Sequence, residues 1–235
     1  MSSSNEENEN EEEELWHFPS ITLDKMKYLQ NQLEKSICKI KCKDNSNGTG
    51  FFCNFPFPDK NNLLLVLITN YHVLEKKDIN EGEEIEISLN NDRFSFKIII
   101  DKNRKIYANE IPYDVTIIEI KKEDAIDLIE PLEIDENIYK ENPNEIYKKI
   151  YIYSLQYPNG FNAEYCLGRI KNIFIEDCHI ERLCETKYGC SGSPLINYNN
   201  NKVLGFHKGK EEKEDWNVGT YIKGPLEKFY EKNKN

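Results

Sequence analysis

Apolar and polar residues alternate with a period of two in several stretches of the chain after residue 37. In residues 85–89 and 94–100 every second side chain is Ile, Leu or Phe, and the turn-forming sequence Asn-Asn-Asp separates the two runs. Such alternation indicates strands with one buried face. Further strands are predicted over 38–43, 50–54, 63–69, 115–120, 149–154, 164–170, 180–184, 195–197, 203–206 and 218–222. Many short strands separated by turns favour an all-β fold of barrels or sandwiches over a parallel α/β sheet.

Helical patterns flank the strand-rich region. The first is an apolar stripe at helical spacing that Ser20 or Thr22 could cap, and it comprises Leu23, Met26, Leu29, Leu33 and Ile37. A second helix is predicted over 226–232, directly after Pro225. We therefore expect helices at both ends of the strand region.

The segment 121–146 carries two prolines and divides the strand region in two. The expected organisation is an acidic tail over 1–14, an N-terminal helix within 15–36, a first β-barrel over 37–134, a second over 135–224 and a C-terminal helix over 225–235.

The composition narrows the classes of partner. The chain has 235 residues, of which 38% are hydrophobic, and this suffices for one large domain or two small ones. Its net charge is -11, but seven of the glutamates lie within the first 14 residues, where self-repulsion predicts disorder. No basic patch suits nucleic acid, and the longest aliphatic run, 63–68, is too short for a membrane span.

The cysteines and the chain start suggest a compartment. Seven cysteines, an odd number without CxxC spacing, predict reduced thiols and argue against a zinc site. The first residues lack the basic and apolar regions of a secretory signal. We expect a cytoplasmic protein without a metal.

Three local patterns carry candidate chemistry. His72 follows an aliphatic strand, Asp114 opens a strand, and Ser191 lies in the sequence Gly-Cys-Ser-Gly. A serine hydroxyl becomes a nucleophile only with an adjacent base, a carboxylate that orients this base, and donors for the developing oxyanion. Each pattern alone is common, but together they occur in the order His, Asp, Ser of the chymotrypsin triad. The sequence therefore predicts a catalytic triad at the seam between the two halves.

Six sequence motifs resemble the trypsin-like, chymotrypsin-fold serine peptidase superfamily, and they follow in that family's order. They are GTGFF (48–52), TNYHV (69–73), YDVTIIEI (113–120), YPNG with YCLGRI (157–170), GCSGSPL (189–195) and VLGFHKG (203–209). The chain looks most similar to glutamyl endopeptidases of the staphylococcal V8 type. This resemblance implies two six-stranded antiparallel β-barrels with the active site between them, and no cofactor.

The resemblance also implies roles for individual residues. Ser191 would be the nucleophile, His72 the general base and then acid, and Asp114 the group that orients His72. The backbone N–H groups of Gly189 and Ser191 would form the oxyanion hole. Cys190 is an alternative nucleophile, as in virus-type cysteine relatives, but the glycine two residues upstream of Ser191 fits the oxyanion frame for the serine.

Substrate selection is predicted from three residues. Thr186 and His207 stand where V8-type enzymes line the S1 pocket, and they favour Glu or Gln at P1, with Glu preferred if His207 is protonated. Glu185 stands near the position at which trypsins select Arg and Lys, and a carboxylate there would favour a basic P1 residue instead.

The expected function is therefore that of a serine endopeptidase acting on protein or peptide substrates. Two rivals remain: a catalytically silent barrel that serves as a protein-binding module, and a regulatory protein whose acidic tail is the active part.

Overall fold

The part of the chain described by this computed structural model, residues 19–59, 61–184, 186–210 and 216–234, is mostly β. The predicted acidic tail and Glu185 lie outside it. The described residues form three helices: α1 (Leu23–Lys35), α2 (Pro143–Tyr147) and α3 (Lys223–Asn233). The strands of the first half are β1 (Ile37–Lys41), β2 (Asn47–Pro56), β3 (Leu63–Thr69), β4 (Glu84–Leu89), β5 (Phe94–Ile99), β6 (Ile106–Asn109), β7 (Val115–Glu119) and β8 (Leu132–Glu133). Those of the second half are β9 (Tyr151–Gln156), β10 (Glu164–Phe174), β11 (His179–Leu183), β12 (Pro194–Asn197), β13 (Val203–Lys210) and β14 (Asn217–Tyr221).

Both flanking helices are present, but α1 ends at Lys35, and Ile37 of the predicted apolar stripe opens β1 instead. Thr22, rather than Ser20, caps α1, because its hydroxyl accepts a hydrogen bond from the Lys25 amide at 3.2 Å. The helix is anchored to β9 where the Tyr153 hydroxyl donates to Gln32 Oε1 at 2.9 Å. Helix α3 starts three residues earlier than predicted and includes Pro225 in its first turn, a position that needs no intrahelical N–H bond.

The second half of the chain forms a closed barrel of six antiparallel strands in the order β10-β11-β14-β13-β12-β9. This confirms the prediction of a six-stranded barrel for that half. All four residues of β12 and all five of β14 are buried, so burial does not alternate along these strands.

The first half differs from a closed six-stranded barrel. Its strands form an eight-stranded sheet in the order β5-β4-β1-β2-β3-β7-β6, and β8 adds to β2 as a parallel pair. Within the described residues, β5 and β6 end this sheet without hydrogen bonding to each other. The additional pairing comes from the segment after residue 121, which contributes a strand of two residues rather than only a linker.

Alternate residues of the first sheet enter two different cores. In β2, Phe52 belongs to one apolar cluster, while Phe51 and Cys53 belong to the other. The neighbouring strand repeats this division with Leu67 and Ile68. Because successive side chains of a strand point to opposite faces, the sheet covers its own core on one face and packs toward the closed barrel on the other. The seam between the halves is therefore lined by residues from both.

Candidate active site

The pairing of β3 with β7 brings His72 and Asp114 together. Thr69 at the end of β3 lies opposite Thr116 near the start of β7. His72 follows β3 by three residues, and Asp114 directly precedes β7. The His72 Nδ1 atom lies 2.8 Å from Asp114 Oδ2, and the His72 backbone N–H donates to Asp114 Oδ1 at 3.0 Å. Both carboxylate oxygens thus face one histidine, whose side chain is half exposed while the aspartate is buried.

Asp114 is held in an uncommon backbone conformation. Its φ is +50°, in the left-handed region that Asp tolerates better than most residues. The loop is fixed from three sides: Asn70 Nδ2 donates to the Asp114 carbonyl at 2.9 Å, Thr220 Oγ1 to the Tyr113 carbonyl at 2.8 Å, and Lys208 Nζ to the Pro112 carbonyl at 3.0 Å. Because Thr220 and Lys208 belong to the closed barrel, they tie the aspartate loop of one half to the other.

Ser191 lies in a tight turn just before β12. The Ser193 N–H donates to the Cys190 carbonyl at 3.1 Å, and the Gly192 N–H donates to the His207 carbonyl at 3.1 Å. Gly192 adopts a φ of +85°, and a Cβ added there would lie 2.1 Å from the Thr49 carbonyl oxygen and 3.2 Å from the Asn70 nitrogen. The turn therefore packs directly against the backbone two residues before His72.

One buried residue of the first half, Thr49, holds this turn. Its N–H donates to the Ser191 carbonyl at 2.9 Å, and its hydroxyl donates to the Gly189 carbonyl at 2.8 Å. The same hydroxyl accepts the Tyr157 N–H at 3.1 Å, and the Thr49 carbonyl accepts the Thr69 hydroxyl at 2.8 Å. Every polar group of Thr49 is thus bonded, and two of these bonds fix carbonyls on either side of Cys190.

The amides of Gly189 and Ser191 remain free of acceptors among the described residues. A trans peptide directs its C=O and N–H in opposite directions. The Tyr188 carbonyl accepts the Asn159 N–H at 2.5 Å and the Cys190 carbonyl accepts the Ser193 N–H, so the following amides point away from these partners. Two neighbouring unpaired N–H groups in a glycine-containing turn can bind an anion.

In the described part of the chain no hydrogen bond joins the Ser191 hydroxyl to the His72 ring. This hydrogen bond is often long before substrate is bound. Cys190, the alternative nucleophile, is fully buried, and burial raises the pKa of its thiol even though the charge of Arg182 acts to lower it. A buried neutral thiol is a poor nucleophile.

The predicted substrate-selecting residues lie beside this turn. The Thr186 hydroxyl lies 2.6 Å from Asn217 Oδ1, and the amide group of Asn217 donates to the Cys184 carbonyl. Since the Asn217 oxygen can only accept, Thr186 must donate to it. Its hydroxyl can therefore only accept from a further partner. Glu185, the rival determinant, lies outside the described residues.

His207 is buried and contacts a second buried side chain. Burial, and after it the neighbouring charge of Arg182, hold the pKa of His207 well below its usual range. The ring is therefore neutral, and its Nδ1 accepts a hydrogen bond from Arg182 Nη2 at 2.7 Å, so its proton is carried by Nε2. A positive charge on His207 is thus not available to favour Glu. The charge in this region belongs to Arg182.

The comparison with known families decides the classification. A sequence profile of the trypsin-like peptidase domain matches residues 48–206. The chain belongs to this family. The match contains the histidine, aspartate and serine of the predicted triad, while no curated protein sequence matches the chain.

Solved structures of peptidases share the fold of this peptidase domain. The active form of the Rv3671c protease from M. tuberculosis aligns with a TM-score of 0.57 at 20% identity, over 86% of this chain and 83% of that one. A serine endoprotease from Yersinia pestis gives 0.59 at 12% identity, over 87% and 66%. The serine protease domain of the Sesbania mosaic virus polyprotein gives 0.57 at 15%, over 82% and 90%.

Three further observations concern the described residues of the peptidase domain. They contain no group of three or more His, Cys, Asp or Glu side chains that could hold a metal ion. None of their helices combines the length and apolar character needed to cross a bilayer. Among the described residues none of the seven cysteines forms a disulfide bond.

Sequence reasoning missed Thr49 and Arg182. Thr49 was visible only as the middle residue of a Gly-Thr-Gly motif. Arg182 offered a clearer signal, because it lies two residues after Ile180 on a predicted strand and so faces the same buried side. A charged residue at a buried position needs an explanation.

We expect the substitution Gly192→Ala to destabilise the peptidase domain by about 3 kcal/mol or more. The added methyl group meets backbone atoms that cannot move aside easily, and its φ of +85° disfavours any side chain. Urea denaturation would measure the free energy of unfolding. Gly209→Ala is the matched control, since a Cβ there meets nothing within 4 Å, and its effect should stay within roughly 1 kcal/mol. Equal effects of both substitutions would contradict the packing argument.

Proposed function

We propose that this member of the trypsin-like family is an active serine endopeptidase that uses His72, Asp114 and Ser191 as its triad. The observation that carries this proposal is the pair of hydrogen bonds from His72 to the Asp114 carboxylate, beside the Ser191 turn. A histidine whose Nδ1–H is held by a carboxylate presents Nε2 as a base. The two units, 37–134 and 135–224, would supply the base and the nucleophile respectively, as the two barrels of the family do.

The mechanism follows from this arrangement. Ser191 Oγ attacks the peptide carbonyl while His72 Nε2 accepts its proton, and Asp114 stabilises the imidazolium that forms. The free N–H groups of Gly189 and Ser191 hydrogen-bond the oxyanion. His72 then protonates the leaving amine, and an acyl-enzyme on Ser191 is hydrolysed by water with His72 again as the base.

Thr49 supports the mechanism as a positioning residue. Its hydroxyl and amide bind the carbonyls of Gly189 and Ser191, and these bonds hold in place the two residues that carry the proposed oxyanion amides. Preorganised donors stabilise a transition state because they need no reorientation during the reaction.

We propose further that the enzyme prefers Glu or Gln at P1, in the manner of the V8-type glutamyl endopeptidases. The neutral His207 carries its proton on Nε2, which can donate to a side-chain oxygen of either residue. Seven cysteines without CxxC pairs suit a reducing compartment, so we propose that the enzyme acts in the cytoplasm on protein or peptide substrates.

The test combines an active-site probe with substrate profiling. A fluorophosphonate should label the folded full-length chain, because it reacts only with an activated serine. Digestion of a mixed peptide library followed by mass spectrometry should then show cleavage after Glu or Gln.

A folded chain that resists labelling would reject the peptidase proposal in favour of a silent binding module. Labelling combined with cleavage after Lys or Arg would reject only the P1 preference and would support Glu185 as the selecting residue.

A further inference from the structure

The side chain of Arg182 is the largest fully buried side chain among the described residues, and it lacks a carboxylate partner there. Within the described ranges its only hydrogen bond is the one from Nη2 to His207 Nδ1, and its Nε and Nη1 atoms have no partner. A guanidinium stays charged at any physiological pH, so burial cannot be relieved by loss of a proton. Burying a charge without a counter-ion destabilises the folded state, so such a charge is rare in proteins unless it has a function.

The position of Arg182 relates this charge to the proposed substrate pocket. On β11 it lies opposite Asn217 of β14, the residue bonded to Thr186. Its partner His207 is bonded through its backbone to the Ser191 turn, since the His207 N–H donates to the Ser193 carbonyl at 2.8 Å and the His207 carbonyl accepts the Gly192 N–H. Arg182 is therefore connected to the Ser191 turn through a single residue, His207.

The other polar groups of this region do not neutralise the charge. His207 is neutral and gives only a lone pair, and the Thr186 hydroxyl proton is committed to Asn217. Among the described residues, Arg182 therefore brings a full positive charge and at least three unused N–H groups to this region, and no carboxylate is bonded to it.

We propose that Arg182 is the specificity-determining residue of this pocket and that it selects a carboxylate, Glu or Asp, over an amide at P1. This proposal rests on the proposed peptidase function and replaces its open choice between Glu and Gln. A P1 carboxylate that accepts a hydrogen bond from His207 Nε2 supplies the missing counter-ion, because the guanidinium behind the ring donates to His207 Nδ1 and its charge acts through that contact. Glutamine offers only a neutral oxygen, and its NH₂ group would face a cation.

The experiment compares peptides that differ only at P1, with Glu, Asp, Gln or Lys, for the wild-type chain and Arg182→Met. For the wild type, the kcat/KM of whichever of the Glu and Asp peptides is cleaved faster should be about 10- to 100-fold above that of the Gln peptide. In Arg182→Met this ratio should fall to about one or below, chiefly through slower cleavage of the acidic peptide. The exposed Arg93→Met serves as the matched control and should retain the wild-type ratio.

Two readouts separate this proposal from a structural role of Arg182. Fluorophosphonate labelling of Arg182→Met should match that of the wild type, and its thermal midpoint should be unchanged or higher, because an unpaired buried charge has been removed. A lower midpoint together with an unchanged acidic preference would overturn the proposal.

The remaining outcomes are also decisive. Wild-type chain that is labelled but prefers Gln or Lys overturns the role of Arg182 and leaves the peptidase proposal standing. If the folded wild type is not labelled at all, both proposals fail. Loss of a Lys preference in Glu185→Gln would assign selection to Glu185 instead.

Discussion

Replacing Ser191 with alanine should reduce kcat for peptide hydrolysis by about 10⁴-fold or more and abolish fluorophosphonate labelling. The substitution removes the only atom that can form the acyl-enzyme, while the amides of Gly189 and Ser191 and the Thr49 bonds stay in place. Residual turnover above the rate in water would then report the oxyanion donors alone. Stopped assays with the best peptide from library profiling, together with gel-based labelling, measure both effects.

The neighbouring Ser193→Ala is the matched control for this prediction. The Ser193 hydroxyl is buried without a hydrogen-bond partner, so its removal should change kcat by no more than a few-fold. Persistent labelling of Ser191→Ala, or its loss only in Ser193→Ala, would show that the nucleophile has been misassigned.

The second large effect is expected for Asp114→Asn, with a loss of about 10³- to 10⁴-fold in kcat and little change in KM. The asparagine oxygen can still accept the His72 backbone N–H, so the amide NH₂ faces Nδ1 of the ring. Nδ1 must then accept a hydrogen bond, the ring proton moves to Nε2, and the atom that should act as a base is already protonated. Steady-state kinetics on one peptide separate kcat from KM.

The exposed Asp127→Asn is the control for this substitution, because it makes the same chemical change away from the site. It should have no measurable effect on kcat. A loss smaller than tenfold in Asp114→Asn would mean that the carboxylate does not set the tautomer of His72.

Strand prediction succeeded where apolar residues alternate or form short runs, and it missed β6 and β8. The hairpin of β4 and β5 was predicted because polar and apolar positions alternate along both strands. All four residues of β6 are half-buried, so no contrast marks them as a strand. The two-residue β8 exists only because it pairs with β2, a partner some 80 positions earlier in the chain, and no local pattern encodes such a pairing.

The residue types of the candidate site could be predicted from the sequence. The contacts that hold these residues in place could not. The types and order of His72, Asp114 and Ser191 predicted that their side chains lie close together. The structure brings the first two into hydrogen-bond contact. The function of Thr49 depends on its contact with Gly189, a residue 140 positions later in the chain. Composition and periodicity do not predict such a contact. The neutral state of His207 depends on burial beside Arg182, and this follows only from the packing of β11 against its neighbours.

The bonds of Thr49 have a consequence for biosynthesis. During translation the residues that would carry the base and the carboxylate emerge well before the serine, yet the Ser191 turn is held in place only after it has docked onto Thr49 of the GTG strand. The proposed peptidase activity would therefore arise only once the Ser191 turn and β12 have been made and have closed around that threonine. A ribosome-bound fragment lacking them would be harmless to the proteins around it.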